Sequence, residues 1–426
     1  MPDQLAIQPS TPLVASIRPP GSKSITNRAL LCAAMAAGQS TLHGVLDSED
    51  TCVMMDCLDR LGVELHHDRT LDRVRITGCS GRLPCQEAEL FVINSGTTIR
   101  FLTAMLAACE GQFRLDGNTR MRQRPMGDLL VALAQLGGTV ESEQANSCPP
   151  LRIRANGLSG GTVPIRGDVS SQFLSGLLMA CPLSSELVEL TVDGPLVSQP
   201  YVRITLGVMN SFGVQVENQD FSRFKVPSRQ QYQSLDYTIE PDASAASYFW
   251  GAAAITGGEV TVLGLSQKAL QGDVGFVDCL QRMGCSVTYE SESITVRSAG
   301  SLRGIDVDMN SISDTVQTLA AVALFAEGPT TITGVAHIRH KETDRIGDLT
   351  RELRKCGAKV EELGDGLEIR PPAQLCATRI ETYDDHRMAM SFAVAGLRQP
   401  GMVILDSECV GKTYPEFFED LSRVSK

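Results

Sequence analysis

Two short signatures recur along the 426 residues at nearly one interval, and together they divide the chain into six copies of one unit. The first is a polar turn between an apolar strand-like run and a long apolar helix-like run. It falls at Ser24, Gly96, Ser170, Ser244, Asp314 and Asp385, with steps of 72, 74, 74, 70 and 71 residues. The second is an apolar residue or Cys, then Gly, then a strand-like run. It falls at Leu61-Gly62, Leu136-Gly137, Phe212-Gly213, Met283-Gly284 and Cys356-Gly357, with steps of 75, 76, 71 and 73. A period this regular sets the architecture before any single side chain is interpreted.

Within each unit the first helical run is apolar nearly all round: Ala29 to Ala37, Phe101 to Cys109, Phe173 to Ala180, Ala245 to Ile255, Leu319 to Ala326 and Met388 to Leu397. A helix without a polar face is a buried helix. The second is amphipathic. In the first unit Val53, Cys57, Leu58 and Leu61 share a face, Glu49, Asp50, Asp56 and Arg60 fall mostly elsewhere, and Gly62 ends the helix. Short β-branched runs such as Glu89 to Ile93, Thr162 to Ile165, Glu259 to Leu263 and Met402 to Leu405 read as strands. Each unit is therefore β-α-β-α-β-β, an α/β design. Three units make a domain, with the cut near Ser234 to Ile239. That places 18–236 in one domain and 1–17 with 237–426 in the other. The first strand, Leu5 to Ile17, can pair with either half.

An apolar fraction of 42% and a charged fraction of 21% belong to ordinary soluble chains. No stretch has the length of a membrane span, and Met1-Pro2-Asp3-Gln4 does not open a leader peptide, so a cytoplasmic protein with no membrane partner is expected. The thirteen cysteines form no C-x-x-C pair. Cys32, Cys57, Cys109, Cys181 and Cys279 lie inside apolar helical runs, as reduced core residues do. A net charge of -12 argues against a nucleic-acid partner. Yet Lys23, Arg28, Arg100, Arg120, Arg122, Arg124, Arg339, Lys341, Arg345, Arg387 and Lys412 gather at the unit turns, which suits small polyanions.

The richest turn runs from Arg18 to Arg28. Pro and Gly bend it, Ser24 is placed to cap the helix, and Arg28 follows four residues later on the same side, so Lys23, Ser24 and Arg28 can converge on one anion. An ordinary capped helix with surface charges fits the same residues. A nucleotide-binding P-loop does not, because Ser22 and Ile17 stand where that pattern needs Gly. Asn94 to Thr98 and Asp168 to Gln172 repeat the design with hydroxyls, Gly and free backbone N–H groups. The spacing of His337 and His340 has no further His or Cys to complete a metal site, and solvated or phosphate-facing histidines are expected. Lys341-Glu342 with Arg345 reads either as a surface charge cluster or as a carboxylate held among cations to exchange a proton. Asp314 either caps its helix or orients a substrate hydroxyl.

Taken together, Pro20 to Ser24 with Arg28, Asn94 to Thr98 with Arg100, Arg120 to Pro125, Ser170 to Gln172, Lys341 to Arg345 and Asp384 to Met388 resemble the 5-enolpyruvylshikimate-3-phosphate synthases, enolpyruvyl transferases. The resemblance runs from the first strand to Lys412. It implies two domains of inverse α/β barrel type, each with three units around three buried helices, closing on substrate at a cleft. It implies transfer of the enolpyruvyl group of phosphoenolpyruvate to the 5-hydroxyl of shikimate 3-phosphate, with loss of phosphate, on the route to chorismate and the aromatic amino acids. By position, Lys23, Ser24, Arg28, Ser170, Ser171, Gln172, Ser198, Tyr201, Asp314, His337 and Lys341 would hold shikimate 3-phosphate. Lys23, Asn94, Gly96, Arg124, Gln172, Arg345, Arg387 and Lys412 would hold phosphoenolpyruvate. Asp314, Glu342 and Lys23 would be catalytic. No metal or cofactor is implied, and a monomer is expected.

The mechanism expected is addition followed by elimination. Asp314 orients the attacking hydroxyl, Glu342 protonates the methylene carbon, and Lys23, Arg124 and Lys412 stabilise the departing phosphate, the base being one of Lys23, Asp314 and Glu342. Two positions depart from the common pattern: Phe101 where Pro is frequent, and His337 where Asn is frequent. The transferase acting on UDP-N-acetylglucosamine is the nearest rival. It usually carries a Cys in the loop filled here by Arg120 to Arg124 and Asn after its first-turn Lys. This chain has no Cys between Cys109 and Cys148, and Ser24 follows Lys23. A non-catalytic sensor of phosphorylated metabolites would be expected to lose the proton-handling residues, which are present.

Overall fold

The computed structural model describes residues 4–426; Met1, Pro2 and Asp3, on which the leader-peptide reading partly rests, lie outside the described residues. The chain separates into two compact units, one formed by Gly21–Ile239 and the other joining the segment that ends at Pro20 to Glu240–Lys426.

The six apolar runs form helices whose bodies are buried on every side. In the first unit these are α1 (Lys23–Met35), α3 (Gly96–Ala107) and α5 (Ser171–Ala180), alternating with the partly exposed α2 (Glu49–Arg60), α4 (Gly127–Gln135) and α6 (Gln199–Ser211). The second unit repeats the plan. Its buried helices are α7 (Ala243–Thr256), α9 (Val316–Ala323) and α11 (His386–Gly396), and its outer ones α8 (Phe276–Met283), α10 (Arg345–Lys355) and α12 (Phe417–Val424). The five Gly of the second signature explain their own recurrence. Gly62, Gly137, Gly213, Gly284 and Gly357 have φ of 83°, 87°, 82°, 115° and 94°, the left-handed conformation that ends a helix and that a Cβ penalises.

Among the described residues of Gly21–Ile239, three four-stranded sheets surround these helices, each with one parallel pair and two antiparallel ones. Two of them draw all their strands from one repeat, as in Glu87–Phe91, Glu110–Asp116, Leu151–Asn156 and Thr139–Ser142. In the remaining sheet the parallel partner of Ala37–His43 is Asp236–Thr238, the opening strand of the fourth repeat. Conversely, the opening strand of the first repeat, Val14–Ile17, pairs parallel with Glu259–Leu263 of the second unit. The chain thus exchanges two strands as it crosses, and the crossings fall at 20/21 and 239/240, three residues beyond the expected 17/18 and 236/237.

The expected single strand from Leu5 to Ile17 is two strands. Gln4–Ala6 pairs antiparallel with Val403–Leu405 of the sixth repeat, and Val14–Ile17 serves the fourth. Ile7 and Leu13 turn inward between them, 7% and 2% exposed. The cysteines placed in apolar helical runs (Cys32, Cys57, Cys109, Cys181, Cys279) are buried free thiols. No described helix is long and apolar enough to cross a membrane.

Candidate active site

In the second unit three turns of the last two repeats bring their charged residues together. A 3-10 turn, Asn310–Thr315, delivers Asp314 to the start of α9; another, Ala336–His340, delivers Lys341 and Glu342 ahead of α10; a third, Ser407–Lys412, ends on Lys412. Arg345 opens α10 and is 1% exposed. Its Nε and Nη2 donate to Asp385 at 2.7 and 3.2 Å, Nη2 also to Glu342 at 2.8 Å, and Nη1 to Asp314 Oδ1 at 3.2 Å. Arg387 donates to the Asp314 carbonyl at 3.0 Å and to its Oδ2 at 2.8 Å. Lys341 Nζ lies 3.2 Å from Asp314 Oδ1, and Lys412 Nζ lies 3.7 Å from Glu342 Oε1.

Four cations therefore meet three carboxylates in a largely buried cluster, where each pairing is worth more than at a surface and a lone charge would be costly. Burial lowers the Arg345 pKa, but Asp385, Glu342 and Asp314 outweigh it and hold the guanidinium above its ordinary value. Burial lowers the Lys341 pKa against the opposing pull of Asp314. Burial and then Lys341 push His337 down to about 4, so its imidazole is neutral. Of the two histidines expected to be solvated or phosphate-facing, His340 is exposed to solvent and His337 is buried. Asp314 does not cap α9 with its side chain; its carboxylate is held by Lys341, Arg345 and Arg387 instead.

Two further groups form in the first unit. Around α1, the N-cap position belongs to Ser22, so Lys23 and Ser24 lie within the first turn and the expected cap at Ser24 is corrected. Lys23 Nζ sits 3.6 Å from the buried Asp50, which sequence reasoning had left with the exposed side of α2. Arg28 is enclosed. Its nitrogens donate to the Ser24 carbonyl at 2.8 Å, Thr205 Oγ1 at 2.7 Å, Ser175 Oγ at 3.3 Å and the Tyr201 carbonyl at 3.2 Å, and its guanidinium lies 4.9 Å from the Phe101 ring centre. Burial lowers its pKa to about 10, still fully charged at neutral pH. One guanidinium thus ties the backbone of Ser24 to that of Tyr201, and Phe101 serves as its stacking face. Ser198, with φ of 55°, opens α6 immediately before Gln199.

The other group surrounds the α3 N-terminus. Ser95 caps it through Thr98 N at 3.2 Å. Arg124 Nη1 donates to the Asn94 carbonyl at 3.2 Å and to its side-chain oxygen at 3.3 Å. Arg100 donates to the Gln172 amide oxygen at 2.7 Å and the Gly96 carbonyl at 3.2 Å, while Gln172 Nε2 reaches Thr97 Oγ1 at 3.3 Å. A Cβ on Gly96 would lie 2.5 Å from Arg124 Nη2 and 2.6 Å from Arg100 Nη1, so the two guanidiniums press on the bare backbone. Ser170 caps α5 through Gln172 N at 3.3 Å, and Ser171 is buried beside it. Of the three arginines in 120–124 only Arg124 is buried; Arg122 turns away to pair with Asp116 at 2.8 Å.

Helix N-termini lined with fixed guanidinium and ammonium groups are anion sites, and a carboxylate wedged among them can pass a proton. The family model that matches residues 7–421 is that of EPSP synthase (3-phosphoshikimate 1-carboxyvinyltransferase). The chain belongs to the EPSP synthase family. Relatives named 3-phosphoshikimate 1-carboxyvinyltransferase include that of Nostoc punctiforme, 46% identical over 96% of this chain and 95% of its own. That of Aliivibrio fischeri is 45% identical over 99% and 100%. A solved EPSP synthase from Acinetobacter baumannii superposes with a TM-score of 0.84 at 26% identity, covering 99% of this chain and 98% of that one. EPSP synthases have the two-domain inverse α/β barrel, the fold that the resemblance implies. Arg100, Asp50 and Asp385 are the charged residues of these clusters that do not belong to the site expected from sequence. For Arg100 and Asp385 a signal existed, since one follows Gly96 by four residues and the other is itself a unit turn.

Proposed function

We propose that the clusters described above serve the reaction of the EPSP synthase family, transfer of the enolpyruvyl group of phosphoenolpyruvate to the 5-hydroxyl of shikimate 3-phosphate. Lys23, Ser24, Arg28, Ser170, Ser171, Gln172, Ser198, Tyr201, Asp314, His337 and Lys341 hold shikimate 3-phosphate, Arg28 largely by fixing Ser24 and Tyr201. Lys23, Asn94, Gly96, Arg124, Gln172, Arg345, Arg387 and Lys412 hold phosphoenolpyruvate, with Arg100 bracing Gln172 and Gly96. Each substrate carries a phosphate and a carboxylate, which suits a site of arginines with fork geometry.

The observation that carries this reading is the position of Glu342, 2.8 Å from Arg345 and 3.7 Å from Lys412, beside an Asp314 held by three cations. The hydroxyl, oriented by Asp314, loses its proton to one of Lys23, Asp314 and Glu342 as its oxygen bonds to the enol carbon, and Glu342 gives a proton to the methylene carbon. The tetrahedral intermediate then collapses as the new methyl group returns a proton to the base and the bond to phosphate breaks, Lys23, Arg124 and Lys412 taking up the leaving charge. The protein works as a monomer in the cytoplasm, in this reading. Phosphate release from phosphoenolpyruvate and shikimate 3-phosphate tests the function. Release with UDP-N-acetylglucosamine as the acceptor, and none with shikimate 3-phosphate, would transfer the chain to the rival reaction.

A further inference from the structure

Immediately ahead of Asp385 and Arg387 the backbone takes two successive left-handed steps without glycine: Tyr383 has φ of 55° and Asp384 of 56°. Such residues each cost on the order of 1 kcal/mol and persist only where neighbours over-determine them. Here the neighbours belong to α10. The Tyr383 hydroxyl donates to Glu352 Oε1 at 2.6 Å, and Glu352 Oε2 accepts from the Glu381 backbone N–H at 3.2 Å. Lys355 Nζ neutralises the same carboxylate at 2.9 Å, and the Arg351 guanidinium lies 5.6 Å from the Tyr383 ring centre. Beyond the turn, Asp385 N donates to the Thr382 carbonyl at 2.9 Å.

Glu352 is fully buried on an otherwise charged outer helix, an expensive place for a carboxylate unless it holds something. It lies seven residues, two helical turns, after Arg345, so both face the same way along α10. One end of the helix thus grips Asp385 through Arg345, and the middle grips the strained turn two residues earlier. We infer that Glu352 and Tyr383 are positioning residues that clamp the Tyr383-Asp384 turn and so aim Arg345 and Arg387 at phosphoenolpyruvate. Burial, and then the Glu352 carboxylate, push the Tyr383 phenol up to about 12, which keeps it a donor at any physiological pH.

The inference rests on the reading that Arg345 and Arg387 bind phosphoenolpyruvate, and the test separates the two. Tyr383→Phe, Glu352→Gln, their double variant and Arg387→Lys are compared by KM for each substrate, kcat and melting midpoint. Losing one hydrogen bond to a charged group should raise KM for phosphoenolpyruvate about tenfold in either clamp variant, with KM for shikimate 3-phosphate changing less than about twofold. The double variant should be no worse than Glu352→Gln alone, because removing the carboxylate's charge already weakens the bond that Tyr383→Phe takes away. A clamp that matters only for stability would lower the amount of folded enzyme and leave both KM values alone, which overturns the inference. If Arg387→Lys raises KM for phosphoenolpyruvate and neither clamp variant does, the inference falls by itself. If Arg387→Lys leaves it unchanged, the reading beneath it falls as well. Should Tyr383→Phe not fold, Glu352→Gln tests the same bond from its other side.

Discussion

At the scale of the residue, what a side chain does here depends on which charges surround it. Glu342 has Arg345 on one side and Lys412 on the other, a fixed charge environment. Replacing it by Gln should keep binding of shikimate 3-phosphate while lowering kcat on the order of 10²-fold or more, measured by stopped-time phosphate release; an unchanged kcat would remove Glu342 from the proton transfer. His337 carries a pH signature. Its pKa drops from 6.5 to about 4 on folding, so between those values the unfolded chain takes up a proton that the folded one refuses. Stability is therefore lost as pH falls through that window. Denaturant midpoints at neutral pH and near pH 4.5 should show His337→Asn losing less than the parent chain, and equal losses would contradict a buried neutral imidazole. The chemistry of both residues was legible as type and spacing. Their burial was not, because exposure follows from which helix lies above them.

At the scale of the element, the recurring devices are the helix start and the helix end. The positive-φ glycines that close the outer helices were visible in the sequence because one backbone conformation demands one residue type. The helix starts were less visible. Ser22, not Ser24, occupies the first N-cap, and the shift by two residues moves Ser24 from capping the helix to lying beside Arg28, which holds its carbonyl. The α3 start makes a sharper demand, since Arg124 and Arg100 crowd the space a Gly96 side chain would fill. Gly96→Ala should displace one or both guanidiniums by a fraction of an ångström and raise KM for phosphoenolpyruvate about tenfold or more, with little change in melting midpoint. A KM that stays put would mean that the arginines can give way without moving the substrate.

At the scale of the whole molecule, the exchanged strands make the two units unequal. Gly21–Ile239 is one continuous segment that carries its borrowed strand, Asp236–Thr238, within it. Glu240–Lys426 is not complete, for it needs Val14–Ile17 on one sheet and Gln4–Ala6 on another, together with the buried Ile7 and Leu13. Expressed as fragments, 21–239 should unfold cooperatively, while 240–426 should lack a cooperative transition until residues 4–20 are restored at its N-terminus. Circular dichroism with thermal melting reads the outcome, and a cooperative 240–426 would show the two N-terminal strands to be dispensable.

The sequence by itself determined the period of six, the buried helices, the glycine-ended outer helices and the families of turns where charge collects. These follow from local rules: hydrophobic period, backbone conformation and residue type repeat wherever the unit repeats. Only the tertiary structure decided where the N-terminal strands pair, which of the clustered arginines is buried, and how Arg345 gathers Asp314 and Asp385 around itself. Those outcomes depend on contacts between residues tens to hundreds of positions apart, and such contacts are set by packing and by the cost of leaving a charge unpaired, neither of which leaves a periodic mark in the chain.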